Sequence, residues 1–485
     1  MKGAKLLRGS SADGVLLTLI KFVTIFLGLL ITRLLSEHLS AYDYGTYSQI
    51  LLMVSTVSSL TILGMMDGVN YFYSSRQDPG QREQYLTTLF CLQALVSAVA
   101  GGIVLLLPLL TAFENPQVKE LLIFAAALPL LQNFISMLQI LLVSVGKARL
   151  LAIRNLLISL IRLGAVLLVV LGSGSILVIL LTTLCLDLLQ ILAFLLILRK
   201  NGLRPGRFRF PLVGELLRYC IPMGLFLMIN TLNRDLDKYL ILWMTDTETL
   251  AMYANASKVL PFDVIMTSFC TVLLPKITAH IAAGEKQRAA RLYRLFLQIA
   301  YIPTTILCCA VLAAAPQVMC LLYSEKYLAG LPIFCIYVAV DLLRFTTITL
   351  ILSASGKTMK LFLLGLGTLA ANFCLNFLLY RLLGVVGPAL ATLLVTLASG
   401  ILILFFSARE LGVGLSGLFD WKHLLLFLGE NALALPLFCL LRSRLQGLGE
   451  LPVVLLTCGL YCLLLLLLQG KRLLSVLKSI NHPES

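Results

Sequence analysis

Apolar runs long enough to cross a bilayer follow one another along the whole chain, and Lys and Arg crowd into every second gap between them. That alternation constrains the fold more than any motif does. Each span needs roughly 20 apolar residues, and the sequence holds about 14 such runs. They lie near 13–35, 45–72, 86–110, 120–143, 153–172, 175–198, 216–243, 250–275, 295–314, 328–353, 361–380, 384–406, 423–441 and 452–469. With 59% hydrophobic and 13% charged residues in 485, a soluble core could not bury this much apolar surface. The expected fold class is an all-α membrane protein, with almost no chain left over for a soluble domain.

An even number of spans puts both termini on one side. Gaps on that side hold about 26 Lys and Arg and the opposite gaps about 5, so both termini are expected in the cytoplasm. Most of the formal charge of +15 is then a topology signal. The expected partner is the bilayer and its anionic headgroups, with no nucleic acid. Lys2, Lys5 and Arg8 before an apolar run imitate a secretory signal. The run from Gly14 to Leu35 is too long for one and lacks a small-residue cleavage site, so it reads as an uncleaved first span. Twelve Cys sit mostly within spans, without a CxxC, and the four His are scattered. Neither a metal site, a cofactor nor a disulfide framework is expected.

The chain repeats itself weakly. Ser144-Val-Gly146-Lys147-Ala-Arg149 matches Ser353-Ala-Ser-Gly356-Lys357-Thr358-Met-Lys360, and Gly174 matches Gly384. Tyr44-Gly45-Thr46-Tyr47 matches Leu250-Ala-Met-Tyr253 at a similar offset. An offset of six spans preserves orientation, so the repeats are parallel. The expected organisation is an N-lobe over 1–200 (six helices), a cytoplasmic linker over 201–215, a C-lobe over 216–410 (six helices), and two extra helices with a cytoplasmic tail over 411–485.

Charges inside spans are the candidate functional residues, since a central Arg, Lys or Asp costs about 2.5–3.5 kcal/mol even on the lenient insertion scale. In the seventh span Asn230, Asn233, Arg234, Asp237 and Lys238 fall on one helical face of an otherwise apolar helix. Two readings stay open for it: a solvated cavity wall, or internal neutralisation of Arg234 by Asp237. The first span carries Lys21, Thr24, Gly28 and Thr32, and the fifth Asn155, Ser159 and Arg162. Asp341 and Arg344 form an i, i+3 pair that reads as a structural salt bridge or a ligand contact. Arg33, near the external end of its span, either snorkels or meets ligand. Asp67 and Glu430 lie toward the cytoplasmic side as edge residues, and Asp187 lies deeper. Basic side chains from both lobes suit an anion, above all a phosphate or pyrophosphate that Arg grips bidentately.

Several motifs fail. Ser355-Gly356-Lys357-Thr358 imitates the end of a P-loop, but Ile351 stands where the upstream Gly is required. No catalytic triad, acid–base carboxylate pair or HExxH occurs, and the external gaps are short, so no enzyme is expected.

The span count, the two six-span lobes followed by a pair, and the stretch Arg33-x-Leu35…Tyr42-Asp-Tyr-Gly-Thr-Tyr47 together resemble the polysaccharide-exporter branch of the MOP (multidrug, oligosaccharidyl-lipid, polysaccharide) superfamily. That branch includes Wzx-type flippases for O-antigen and capsule units and the sporulation and lipid II flippases. The resemblance covers the whole chain and is specific to the branch, not to a substrate. It implies a MATE/MOP-like fold and a flippase of undecaprenyl-pyrophosphate-linked oligosaccharide in the bacterial inner membrane. It also implies a cationic cavity, alternating access, and association with polysaccharide-assembly proteins. On this chain Lys21, Arg162, Arg234 and Lys238 would bind the pyrophosphate-sugar, with Arg33, Asn230 and Arg344 as further candidates, and the 423–469 pair would flank the lipid tail. Asp235, Asp237 and Asp341 are candidates for H+ or Na+ coupling and keep an ion-coupled drug antiporter open. A lipid II flippase shares the fold and the carrier.

Overall fold

The computed structural model describes residues 2–75, 78–110, 115–172, 174–200, 206–445 and 447–481. Arg204, His482 and the first part of the expected 201–215 linker lie outside them, and so do the side chains of residues 2–19, including Lys2, Lys5 and Arg8. Among the described residues all regular structure is helical. Physics demands this of apolar segments in lipid, where no water is present to satisfy backbone N–H and C=O groups.

Nine helical stretches among the described residues are long and apolar enough to cross a membrane, or eleven when each of two bent pairs counts as one span. This tally, taken by length and composition over the described residues, does not confirm the expected count of about 14. One stretch, Met359–Leu411, contains two helices, Thr358–Leu383 and Gly387–Leu411, separated at Gly384. Other expected spans are interrupted. Ala41–Thr61 gives way to Met65–Ser75 through Leu63 (φ +44°) and Gly64 (φ +68°), a bend of 43°. Pro116–Ala125 and Leu128–Ser144 meet at 44°, with Pro129 in the first turn of the second helix. The expected 250–275 span is Thr247–Ala256 followed, after a non-helical stretch containing Pro261, by Asp263–Ala282. The expected 328–353 span alternates 3-10 and α segments. Pro108, Pro222, Pro303 and Pro436 instead lie inside helices that continue through them.

Packing divides the chain into two compact units. Unit 1 runs to Asp235 and includes Thr245–Ala251; unit 2 comprises Leu236–Met244 and the chain from Met252 onward. The Val213–Met244 helix contributes its first part to unit 1 and its end to unit 2. In unit 1, Lys2–His38 lies along Ala148–Gly172, and Leu128–Ser144 packs against Met65–Ser75, Pro79–Leu110 and Ile176–Lys200. In unit 2, the deeply buried Lys286–Ala313 helix is wrapped by Asp263–Ala282, Leu331–Leu343 and both terminal helices, Trp421–Arg444 and Glu450–Asn481. The terminal pair therefore belongs to the core of unit 2, joined through Tyr301, Phe427, Phe438 and Tyr461.

Lipid supplies no hydrophobic drive between helices, so close packing and hydrogen bonds hold them. At Gly224 backbone meets backbone closely: a Cβ there would sit 2.4 Å from the Leu63 carbonyl carbon. The turns at Gly146 and Gly356, 210 positions apart, carry the same bonds. Val145, Gly146 and Lys147 donate to the carbonyls of Leu141, Val143 and Leu142; Ser355, Gly356 and Lys357 donate to those of Ile351, Ser353 and Leu352. Both glycines are left-handed (φ +80° and +66°), and Gly174 and Gly384 pair likewise (φ +59° and +61°). The turn leading into Ala41–Thr61 is capped by Ser40, which accepts from the Asp43 amide at 3.0 Å. The later one is capped by Asp246, which accepts from the Thr249 amide at 2.7 Å. The Thr249 amide holds the Asp246 carboxyl below the usual carboxylate range.

A Cβ at Gly146 or Gly356 meets nothing within 4 Å. Gly146→Ala and Gly356→Ala should therefore each cost only the left-handed backbone term, about 1 kcal/mol. Gly224→Ala should lower the unfolding temperature in detergent further, because its Cβ strikes backbone. A Gly356→Ala protein as stable as the parent would contradict the left-handed turn.

Candidate functional site

Unit 1 places its central charges on two neighbouring helices. Ala148–Gly172 presents Arg154 and Arg162, and Ile176–Lys200 presents Asp187 and Gln190 one turn apart. Arg162 Nη2 donates to Asp187 Oδ1 at 2.8 Å. Gln190 Nε2 donates to the same oxygen at 2.8 Å. Gln190 Oε1 in turn accepts from Arg154 Nη2 at 2.5 Å. Arg154 also reaches Asn155 Oδ1 at 2.8 Å and lies over the Phe194 ring at 4.0 Å. Arg162 thus pairs with the carboxylate directly and Arg154 reaches it only through Gln190, so the cluster holds two positive charges for one negative. Asp187 is buried, whereas the Arg162 side chain stays 38% exposed.

Arg154 is buried and was not among the residues singled out from sequence. One residue inside the expected 153–172 span, it reads as an end-of-helix charge. Its partners Gln190 and Phe194 come from another helix and leave no local signal.

The face of the Val213–Met244 helix divides. Asn230 is exposed. Arg234 pairs with its neighbour Asp235 at 2.9 Å while its side chain remains 54% exposed. Of the two readings left open for this face, neutralisation of Arg234 by Asp237 is not what forms. Asp237 is buried in unit 2, where its Oδ2 accepts from the Tyr253 hydroxyl at 2.9 Å and from the Tyr337 hydroxyl. Its Oδ1 has no hydrogen-bond partner. Lys238, one residue on, is half-buried and acts on the Asp237 charge.

The remaining candidates take local partners. Arg33 Nε bonds Glu37 at 2.9 Å, one turn away. Lys21 is exposed, and Thr24 and Thr32 direct their hydroxyls to the carbonyls of Ile20 and Gly28 on their own helix. Asp341 is buried, accepts from Arg344 Nε at 2.7 Å and from the Leu260 amide at 3.0 Å. It thereby anchors the backbone released at the break beside Pro261. Unit 1 so brings together Arg162, Asp187 and Arg154, and separately Arg234 with Asp235. Unit 2 holds Asp237 with two tyrosines, and Asp341 with Arg344. Among the described residues no group of three or more His, Cys, Asp or Glu could hold a metal.

Residues 10–280 match the model of a family described as polysaccharide biosynthesis protein. No curated protein matches the sequence. Several solved structures share the fold. The lipid II flippase MurJ in an inward closed conformation superposes with a TM-score of 0.73 at 16% identity, covering 94% of this chain and 99% of its own. A MOP superfamily transporter from Pyrococcus furiosus gives 0.60 at 13% identity, over 82% of this chain and 94% of its own. The MATE multidrug transporter DinF-BH gives 0.59 at 15% identity, over 84% and 96%.

Removing the Asp341 carboxylate strands both the Leu260 amide and Arg344. Asp341→Ala should destabilise unit 2 by about 3 kcal/mol, in the range for breaking a buried pair from one side. Asp341→Asn, which keeps an acceptor for Leu260, should lose less. Thermal unfolding of the purified protein reads this, and equal losses for the two variants would remove the amide anchor from the account.

Proposed function

Since the chain belongs to the polysaccharide biosynthesis protein family, we propose that this multi-pass membrane protein is a flippase. It carries undecaprenyl-pyrophosphate-linked oligosaccharide across the bacterial cytoplasmic membrane by alternating access, with both termini in the cytoplasm. The observation that carries the reading is the surplus guanidinium charge of unit 1. Arg162 and Arg234 keep much of their surface open although each has a carboxylate partner. Half-exposed guanidinium groups within apolar helices need water or an anion, and a pyrophosphate offers the bidentate geometry they favour. Within the same unit Lys21 adds charge of the same sign, and Arg33 and Asn230 are further candidate contacts.

The membrane potential favours this direction of transport. With the inside negative, each negative charge moved outward gains about 2.3 kcal/mol per 100 mV. Of the three acidic candidates for H+ or Na+ coupling, Asp235 and Asp341 are already ion-paired. Asp237, with one carboxylate oxygen free of hydrogen bonds, is the strongest.

Two other readings have support. The likeness to the lipid II flippase favours that substrate, which shares the lipid carrier. The buried Asp237 favours a cation-coupled multidrug exporter of the MATE kind. For the Pyrococcus furiosus transporter a reversed polarity of the binding pocket suggests a different function, and the sign of the charge likewise separates the readings here. In proteoliposomes, Arg234→Glu and Arg162→Glu should lower flipping of an anionic lipid-linked glycan by more than about tenfold. The same variants should spare or raise export of a cationic dye. Export of the dye by the parent protein, lost in the same variants, would sink the anion reading. Collapsing an inside-negative potential should slow outward flipping; an unchanged rate would reject potential-driven transport.

A further inference from the structure

Unit 1 carries a second polar face that the flippase reading above does not use. On the Met65–Ser75 helix, Asp67, Asn70 and Tyr71 stand at positions i, i+3 and i+4, which is one side of the helix. All three are exposed, and Tyr71 keeps 47% of its surface open. The opposite side, Met65, Val69 and Phe72, is locked into the core. The helix is therefore held rigidly with its polar face outward.

Two other elements complete the face. Tyr219, from the Val213–Met244 helix, stacks on Tyr71 with ring centroids 4.5 Å apart and planes 15° from parallel. Phe72 meets both rings edge-on, at 5.1 and 5.6 Å, and fixes the pair. Ser144, at the end of Leu128–Ser144, donates to Asn70 Oδ1 at 3.0 Å. Asp67 forms no ion pair among the described residues, and its charge reaches Tyr219.

Met65–Ser75 is the second half of a bent helix pair long and apolar enough to cross a membrane, and an exposed, unpaired carboxylate there cannot rest against acyl chains without a cost of several kcal/mol. The face therefore meets water or a polar ligand. Its chemistry narrows the ligand. A carboxylate repels phosphate, so this is no extension of the guanidinium group at Arg162. An aromatic ring takes the apolar C–H face of a sugar, a carboxylate accepts from two adjacent sugar hydroxyls, and an amide both donates and accepts beside them. That combination suits a pyranose.

We propose that Asp67, Asn70, Tyr71 and Tyr219 form a saccharide subsite that takes one sugar ring of the transported lipid-linked glycan. The proposal rests on the flippase reading, and it assigns the sugar and the pyrophosphate to different residues of unit 1. Tyr71 and Tyr219 supply the stacking platform. Asp67 orients the ring through its hydroxyls, and Asn70, steadied by Ser144, fixes the register.

The test measures binding of two probes to the purified full-length protein by native mass spectrometry: undecaprenyl pyrophosphate alone, and the same carrier bearing a single hexose. The parent protein should prefer the glycosylated carrier by about tenfold. Asp67→Asn and Tyr71→Ala should bring that ratio close to one, whereas Tyr71→Phe, which keeps the stack, should preserve it. Asp67→Asn alters an exposed, unpaired side chain, so its result does not depend on refolding. Arg162→Glu should weaken both probes together and leave the ratio standing. A ratio unchanged in both Asp67→Asn and Tyr71→Ala, or a parent protein with no preference for the sugar, overturns the subsite while leaving the flippase reading intact. A parent protein that binds neither probe better than a zwitterionic lipid overturns both.

Discussion

A charge carried into a bilayer must find a counter-charge, a set of hydrogen bonds or water, and the way each charge here meets that demand organises the molecule. Asp187 is wholly enclosed and gathers Arg162 directly and Arg154 through Gln190. Asp341 is enclosed with Arg344 and a backbone amide. Asp237 accepts from two phenols, and one of its oxygens stays without a hydrogen-bond partner. Asp67 and the guanidinium of Arg234 remain open. The enclosed groups cannot be removed without leaving a partner stranded at a cost of several kcal/mol. The open ones are tied less tightly to the fold and are free to serve a ligand.

The same demand governs the breaks in the helices. A bend or unwound stretch frees backbone groups that lipid cannot satisfy. Each break is tolerated only where protein supplies a substitute. At the Leu63–Gly64 bend a side chain supplies it: Gln93 Nε2 donates to the Thr61 carbonyl at 3.2 Å, while the Met65 amide turns back to the Ile62 carbonyl. At Pro261 it is the Asp341 carboxylate reaching across from another helix to the Leu260 amide. Charge placement and helix interruption are thus coupled. Asp341 contributes to the shape of unit 2 as much as to its electrostatics, and a role for it in ion coupling would have to compete with both of its existing partners.

What the sequence discloses follows from how local each signal is. The helical class and the bundle are legible because every span is a contiguous run, and the paired turns are legible because Gly146 and Gly356 need the same left-handed backbone. Where the spans break is less legible. Leu63, a residue that rarely adopts positive φ, gives no local warning, and Pro261 looks no different in the sequence from Pro222 and Pro303, which lie inside continuous helices. At the charged sites periodicity identifies the residues but not their partners. A spacing of three residues suggests Asp237 for Arg234, yet the adjacent Asp235 takes the guanidinium. Asp237 instead turns to hydroxyls 16 and 100 residues away. Arg154 escaped notice for the same reason, since its burial is made by the neighbouring helix.

On the proposed reading, a lipid-linked glycan sets two incompatible electrostatic requirements within one substrate. Its pyrophosphate needs positive charge with bidentate geometry, and its sugars need acceptors and a flat apolar surface, which in proteins means carboxylates beside aromatic rings. A single pocket of uniform sign serves one part and repels the other. Unit 1 avoids the conflict by separating the two chemistries. It places surplus guanidinium charge on the Ala148–Gly172 and Ile176–Lys200 pair, and the free carboxylate with stacked tyrosines on Met65–Ser75 and the start of Val213–Met244. Net charge alone would hide this arrangement, because the carboxylate of Asp67 subtracts from the total while adding to recognition. The balance also bears on energetics. Sugars carry no charge, so nearly all of the work done by the membrane potential acts on the pyrophosphate. The contacts to the glycan are then free to set specificity without opposing the driving force.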